Sequence, residues 1–165
     1  MAHAIKMLQD DHNSARILFG QIQQIPGGSP GVLEKAVLQL TSMLTTHTKL
    51  EEEFIYPVLA EFDPEGAKQA EGDHDEAKGI LKHMDDLPDG MELRDVVGQL
   101  QVVIEDHVAK EEETLFPLLS EKLGPIELET LGMSMLTRQQ ELMQEGEDTT
   151  GAAETARPQN IYPKM

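Results

Sequence analysis

The sequence contains no cysteine and no tryptophan, and its basic residues are few. Without cysteine, the 165-residue chain forms no disulfides, thiolate zinc sites or iron–sulfur clusters. Its 31 Asp and Glu residues against 13 Lys and Arg give a net charge of −18, which repels nucleic acid and anionic lipid. It has no run of about 18 apolar residues to span a membrane, and its first residues lack the apolar run of a secretory signal. We therefore expect a cytoplasmic protein that binds neither nucleic acid nor membrane.

One stretch occurs twice in the chain. The first copy is HTKLEEEFIYPVL, from His47 to Leu59, and the second is HVAKEEETLFPLL, from His107 to Leu119. Each copy places a histidine four residues before the first of three glutamates. On a helix this spacing puts the imidazole and the carboxylate on one face, one turn apart. The two copies predict the two halves of one metal site.

Four helices are predicted from rows of residues at spacings of three and four, and we call each row the seam of its helix. The seams in chain order are Ile5, Leu8, His12, Ala15, Phe19 and Ile22; Leu33, Val37, Leu40, Leu44, His47, Glu51, Phe54 and Val58; Ala67, Ala70, His74, Ala77, Leu81 and Met84; and Leu93, Val97, Leu100, Ile104, His107, Glu111, Thr114 and Leu118.

The predicted fold is all-α: an up-down-up-down four-helix bundle with a short C-terminal helix and an extended tail, because short loops join the four seams. The bundle takes residues 1–122, the C-terminal helix 123–145, and a polar tail 146–165. The seam histidines of the first two helices are 35 residues apart and those of the next two are 33 apart. This approximate duplication predicts a pseudo-twofold axis. Pro57 should kink or loosen its helix because it lacks an N–H.

Six polar residues interrupt the otherwise apolar seams: His12, His47, Glu51, His74, His107 and Glu111. Burying such groups without partners costs several kcal/mol each, so they need a shared partner. With a rise of about 1.5 Å per residue, all six lie near mid-helix when the helices run antiparallel. A single internal cluster therefore collects them. A buried His–Glu hydrogen-bond network without metal is the alternative interpretation.

The donor set of four imidazoles and two carboxylates suits a first-row transition metal. A single zinc ion with six protein ligands would be unusual, because zinc prefers four. Two iron ions bridged by Glu51 and Glu111 and by an oxo or hydroxo group fit the count better, and manganese fits it equally. The terminal ligands divide by helix pair: His12 and His47 on one ion, His74 and His107 on the other.

Residues off the seams are expected on the surface. By helical phase Tyr56 falls on the outer face, so we do not count it as a ligand. The same reasoning places the remaining histidines and the trailing glutamates of the repeat away from the seams, with most of them solvated: His3, His83, Glu52, Glu53, Glu112 and Glu113.

Over about residues 5 to 120 the chain resembles the hemerythrin-like (HHE cation-binding) family. The resemblance rests on Asp11-His12, on the His47…Glu51 and His107…Glu111 motifs with their trailing acids and proline, and on Asp73-His74. It implies a non-heme di-iron site that meets dioxygen, hydrogen peroxide or nitric oxide, and it assigns the same six ligands.

The sequence departs from the oxygen-carrying members of that family. Their fifth histidine, one turn after the third-helix histidine, corresponds to Lys78, and Glu111 follows His107 more closely than their aspartate does. Loss of that ligand opens positions on both ions. This favours an oxidoreductase that decomposes hydrogen peroxide in a catalase-like reaction, or that acts on nitric oxide with peroxide. Lys78 and Thr114 are the candidate catalytic residues on the distal side, although Lys78 also fits an ordinary surface lysine. Reversible dioxygen binding or sensing, or iron sequestration, is the alternative function. The sequence gives no indication of oligomeric state.

Overall fold

The computed structural model describes residues 2–88 and 90–155, without the side chains of Pro30 and residues 147–155. These residues form seven α-helices and two short π-helices, and no strand is found among them. None of the helices in these ranges is long and apolar enough to cross a bilayer. In chain order the elements are α1 (Ala4–Gln24), α2 (Pro30–Leu50), π1 (Glu51–Ile55), α3 (Tyr56–Leu59), α4 (Pro64–Asp85), α5 (Met91–Lys110), π2 (Glu111–Leu115), α6 (Phe116–Lys122) and α7 (Pro125–Thr155).

The helices begin where proline and capping side chains favour a start. Pro30, Pro64 and Pro125 each occupy the first position of a helix, where the missing N–H would be unpaired in any case. The Asp63 side chain caps α4 by accepting a hydrogen bond from the Gly66 N–H at 2.9 Å. These starts set the turns that reverse the chain between bundle helices.

The predicted four-helix bundle is confirmed. Its long helices are α1, the continuous run α2–π1–α3, α4, and the continuous run α5–π2–α6. Helix α1 packs against α2 and α5, and α4 packs against α5 and α3. Every predicted seam residue up to Glu51 and Glu111 in its helix is buried, because the three-four periodicity holds along each of these stretches.

Two apolar clusters form the core, one at each end of the bundle. One is built around Phe19, Leu40 and Leu100, and the other around Leu8, Leu59 and Leu119. The six polar seam residues are buried at the level between them. Apolar packing on both sides therefore closes this polar layer off from solvent.

The second halves of the two longest seams are shifted by one residue relative to the prediction. In π1 the Tyr56 N–H bonds to the Glu51 carbonyl, five residues back, and in π2 the Phe116 N–H bonds to Glu111 in the same way. Each wider turn is followed directly by a proline, Pro57 or Pro117, which lacks the N–H for an ordinary helical bond. The predicted loosening thus takes the form of a π-turn in both copies of the repeat.

This shift corrects four positions. The prediction placed Phe54, Val58, Thr114 and Leu118 on the seams, but Thr114 is exposed and the other three are only half-buried. The buried positions are one residue later, at Ile55 and Leu59 in the first copy and at Leu115 and Leu119 in the second, and Tyr56 and Phe116 are buried as well. A π-turn holds about one residue more than an α-turn, so every later side chain is rotated around the helix axis.

The C-terminal helix is longer than predicted. The prediction ended it at residue 145 and assigned 146–165 to an extended tail, whereas α7 continues to Thr155. Residues 156–165 lie outside the described residues. Leu128, Met135 and Leu142, spaced seven apart, bury α7 against the core cluster that contains Leu8 and Leu59. Arg138 also holds the helix to π1, because its Nε donates to Glu53 Oε2 at 2.9 Å.

We expect Gly132→Ala to loosen the contact between α7 and the N-terminus. A Cβ at Gly132 would lie 2.5 Å from the Ala2 carbonyl oxygen and 2.8 Å from the Ala4 nitrogen, both backbone atoms. Because the chain must shift to relieve this overpacking, the free energy of unfolding should fall by about 1–3 kcal/mol, as measured by urea titration. Gly98→Ala, with nothing within 4 Å of its Cβ, is the control and should gain up to about 1 kcal/mol. Equal stabilisation by both changes would contradict the close contact.

Candidate metal centre

The six polar seam residues converge at one level of the bundle. All are at most 5 % exposed, and Glu51 and Glu111 are fully buried. Their donor atoms form two groups of four in which the atoms lie within 4.8 Å of one another. The groups are His12, His47, Glu51 and Glu111, and Glu51, His74, His107 and Glu111. The structure therefore brings all six predicted ligands together and shares the two glutamates between two subsites.

Each glutamate contacts one histidine from its own helix and one from the other half of the bundle. Glu51 Oε2 lies 3.3 Å from His47 Nε2 and 3.0 Å from His74 Nε2. Glu111 lies 3.2 Å from His107 Nε2 through Oε1 and 3.2 Å from His12 Nε2 through Oε2. The four-residue spacing accounts for the first contact of each pair, and the duplicated fold accounts for the second.

The outer nitrogen of every site histidine is held by a carboxylate. The Nδ1–acceptor distances are 2.9 Å for His12 to Glu112, 3.1 Å for His47 to Asp11, 3.0 Å for His74 to Glu52 and 3.4 Å for His107 to Asp73. Such a partner fixes the tautomer and directs Nε2 inward, as in metal sites whose histidines are oriented by a carboxylate. All four imidazoles thus present an inward nitrogen with the same orientation.

The expectation that the trailing glutamates are mostly solvated is therefore wrong for Glu52 and Glu112. Both are half-buried and belong to the support of the site, whereas Glu53 and Glu113 are exposed. Helical phase read from the sequence did not identify them, because each bonds to a histidine in the other half of the chain. The signal was present in the repeat, since each of them directly follows a predicted ligand.

Basic side chains contact three of the carboxylates that hold the outer histidine nitrogens. Arg16 Nη2 lies 3.3 Å from Glu112, Lys78 Nζ lies 2.6 Å from Glu52, and Lys110 Nζ lies 3.1 Å from Asp73. Lys78 and Arg16 occupy equivalent positions, each four residues after a site histidine. The structure consequently places Lys78 behind His74, in contact with Glu52 rather than with the inward donor atoms.

Thr114 is also outside the cluster of donor atoms. It is exposed and lines a surface pocket of about 140 Å³ together with Asp73 and Lys110. The same pocket reaches the outer side of His107. The structure thus brings together the predicted metal ligands but neither of the two predicted catalytic residues.

Tyr56 lies inside the site, which corrects its predicted position on the outer face. It is 1 % exposed, and its ring packs against His74 with centroids 5.0 Å apart. The π-turn rotates it inward, and the proline that follows it in both repeats was the available signal. Phe116 takes the equivalent place in the other half and stacks on His12 at 5.7 Å with an interplanar angle of 7°. The two subsites therefore differ by one hydroxyl group.

The buried charges strongly influence one another. Burial alone would lower the pKa of His107, but hydrogen bonds to Glu111 and Glu51 raise it to about 10. Burial is likewise outweighed at His47, whose pKa is raised by Glu51 and Asp11. Burial would raise the pKa of Glu51, yet the neighbouring histidines hold it well below its usual range. Burial and nearby carboxylates raise the pKa of the Tyr56 phenol, and a bound cation acts in the opposite direction.

Three inward atoms form no hydrogen bond within the described residues: Glu51 Oε1, and His12 Nε2 and Glu111 Oε2, whose 3.2 Å contact lacks hydrogen-bond geometry. Burying polar atoms in this state costs about 1–3 kcal/mol each. The three belong to the shared donor set, and nitrogen and carboxylate donors suit first-row transition metals. The residues present therefore fit a pair of metal ions.

A small cavity adjoins the donor atoms on the side of the core cluster that contains Phe19 and Leu40. Its space for the centre of a water-sized molecule is about 10 Å³. All four site histidines line it, and so do Ala15, Leu44 and Val108. This space is close to the minimum that holds one water molecule.

Comparisons with known proteins agree with this geometry. The profile of the hemerythrin HHE cation-binding domain matches residues 3–119. A crystal structure of a hemerythrin HHE cation-binding domain-containing protein from Mycobacterium kansasii has the same fold, with a TM-score of 0.77 and 24 % identity over 88 % of this chain and 90 % of that one.

A further relative, from Nostoc sp., carries the name DNA nickase. It is 32 % identical over 149 residues, which are 88 % of this chain and 42 % of the relative. The chain thus spans less than half the length of that protein. Because the family profile covers most of the sequence and includes all six converging residues, the chain belongs to the hemerythrin HHE cation-binding domain family.

Proposed function

We propose that the centre holds two iron ions and that the pair decomposes hydrogen peroxide, or acts on nitric oxide with peroxide as co-substrate. The observation that carries this proposal is the sharing of Glu51 and Glu111 between two groups of donors. Two neighbouring irons in a nitrogen and oxygen environment can polarise an oxidant and exchange two electrons with it. Hydrogen peroxide is a two-electron oxidant and reductant, so its dismutation matches such a pair.

The size of the adjoining cavity supports a small substrate. A space of about 10 Å³ for the centre of a water-sized molecule is close to that of one water molecule, which favours a small oxidant over an organic substrate. Its lining brings the small molecule directly beside the four imidazoles. The apolar side chains around it exclude bulk water, which strengthens electrostatic interactions inside.

The chain's own outer residues orient the donors. Lys78 holds Glu52, and Glu52 in turn holds His74 Nδ1. We therefore propose that Lys78 is a positioning residue for His74, in place of the catalytic role on the distal side that was predicted from the sequence. Arg16 and Glu112 do the same for His12. Thr114, which is exposed, is given no part in this chemistry.

DNA cleavage is not extended to this chain from its Nostoc relative. The net charge of −18 opposes approach to a phosphate backbone. The shared region also covers only 42 % of that relative. The proposal therefore rests on the buried centre alone.

The test is turnover by protein loaded with two irons per chain. We expect oxygen evolution from hydrogen peroxide, followed with an oxygen electrode, and nitric oxide consumption when peroxide is present. The same preparation after removal of iron by a chelator is the control and should be inactive. Two bound irons without either activity would show the enzyme proposal to be wrong. A stable dioxygen adduct that is released under vacuum would instead favour oxygen carriage.

A further inference from the structure

We propose that small molecules reach the buried centre from a surface pocket between α1, α2 and α7, and that the side chain of Met43 opens and closes this route. The inference rests on the proposed function, because it concerns the entry of the oxidant. It also gives the class of molecule that the route admits, which is small and uncharged.

A surface pocket of about 280 Å³ lies beside the second bundle helix, and we call it the entry pocket. Asp11 of α1, Met43 of α2 and Met143 of α7 are among the residues that line it. Asp11 and Met43 also line the small cavity beside the four site histidines. The entry pocket and this inner cavity are therefore separated by a wall to which both side chains belong.

Met43 is the movable part of this wall. Asp11 Oδ2 lies 3.1 Å from His47 Nδ1, and this hydrogen bond holds the carboxylate in place. Met43 is half-buried, and its unbranched side chain turns about three bonds without breaking a strong hydrogen bond. It lies one helical turn before His47, on the same side of α2. We expect a rotation of the Met43 side chain to join the entry pocket to the inner cavity without moving a site histidine.

The surface pocket at Thr114 is a poorer route. The one residue that it shares with the inner cavity is His107, whose outer side it reaches. Asp73 lies there, 3.4 Å from His107 Nδ1 and 3.1 Å from Lys110 Nζ. A molecule that came from this side would have to displace a candidate metal ligand and the ion pair behind it. Entry beside Met43 disturbs neither of them.

The charge along the route favours uncharged molecules. Basic side chains contact Glu112, Glu52 and Asp73, but no Lys or Arg in the described part of the chain forms an ion pair with Asp11. The carboxylate at the inner end of the entry pocket thus lacks the basic partner that the other three have. Together with the net charge of −18, it opposes anions such as superoxide or nitrite. Hydrogen peroxide, nitric oxide and dioxygen carry no charge and are admitted.

The first experiment is stopped-flow measurement of nitric oxide binding to the reduced, iron-loaded full chain, with Met43 made smaller or larger. A side chain that only closes the route changes the association and dissociation rates by the same factor, so the dissociation constant stays the same. We expect Met43→Ala to raise both rates severalfold and Met43→Phe to lower both severalfold. A changed dissociation constant with an unchanged association rate would overturn the gating role.

Two control variants accompany these measurements. Met133→Ala truncates an exposed methionine of α7 that lines neither pocket. Thr114→Phe narrows the mouth of the other pocket. Both should bind nitric oxide at the original rates. If Thr114→Phe slows binding while both Met43 variants leave it unchanged, the route beside Met43 is wrong.

The second experiment needs no iron and separates this inference from the proposed function. Dissolved dioxygen is paramagnetic and broadens the NMR signals of methyl groups along its path. In metal-free protein we expect stronger broadening at Leu44 and Val108, which line the inner cavity, than at Leu59 and Leu119, which are fully buried in the other core cluster. Met43→Phe should reduce the broadening at the first pair.

The two experiments have distinct outcomes. Equal broadening of the two pairs in the unsubstituted protein would overturn the route, even in a protein that decomposes peroxide. This comparison also decides if a Met43 variant fails to fold or to load iron. Entry controlled by Met43 in a protein that decomposes no peroxide would support the route and show the proposed function alone to be wrong.

Discussion

Glu111→Gln is expected to weaken the binding of both proposed metal ions by more than about 100-fold, the upper end of the effect of losing an outer partner of a metal ligand. Glu111 belongs to both donor groups, so its loss affects both ions. The amide keeps the size of the side chain but removes one of only two carboxylate charges in the donor set. Metal content by mass spectrometry, together with calorimetric titration of the metal-free protein, measures the effect.

The matched control for this change is Glu113→Gln. Glu113 lies in the same π-turn but is exposed, so its substitution should leave both affinities within about twofold of the original, as expected for a surface change. Circular dichroism of both variants checks that the bundle is retained. Selective loss of one ion in Glu111→Gln, with the other bound as before, would contradict a carboxylate shared by two ions.

The positions of the six candidate ligands could be predicted from the sequence because regular α-helix relates them. His47 and Glu51 lie one turn apart before any irregularity occurs, and the same holds for His107 and Glu111. His12 lies at the middle of an uninterrupted three-four pattern. Because the three-four periodicity makes each helix amphipathic, these side chains are buried. Because each lies near the middle of a long helix, they also lie at one level of the bundle.

What could not be predicted begins at the π-turns. Helical phase extrapolated through Glu51 places Tyr56 outside, whereas the wider turn places it among the donors. The sequence contained the proline that favours such a turn, but a proline is also compatible with a kink or a helix end. Since one extra residue in a turn rotates the helix by about 100°, this ambiguity determined which side chain enters the site.

The outer support depends on tertiary contacts that no single helix reveals. Glu52 reaches His74 across 22 residues of sequence, and Glu112 reaches His12 across 100. Within its own helix each glutamate simply points away from the seam. Only the packing of the two repeats against each other shows that this direction meets the outer nitrogen of a histidine.

Loading with iron is expected to raise the unfolding temperature by at least about 10 °C. Free metal at 1,000 times its dissociation constant contributes about 4 kcal/mol per site, and a chain of this length gains roughly 2–4 °C per kcal/mol. The physical source is the set of buried inward atoms without hydrogen bonds, at His12, Glu51 and Glu111. Differential scanning calorimetry of iron-loaded and chelator-treated protein measures the shift.

The stabilisation by iron should depend on the shared carboxylates. Glu111→Gln also removes a carboxylate that raises the pKa of buried His107, so the metal-free variant should unfold at a lower temperature than the metal-free original protein, and the effect of iron is measured against each protein's own metal-free state. Added iron should then shift the variant by less than a few degrees. If iron fails to stabilise the original protein while two ions remain bound, those ions bind the unfolded chain equally well. In that case the ions lie outside the buried centre, since its six donors converge only when all four bundle helices are packed.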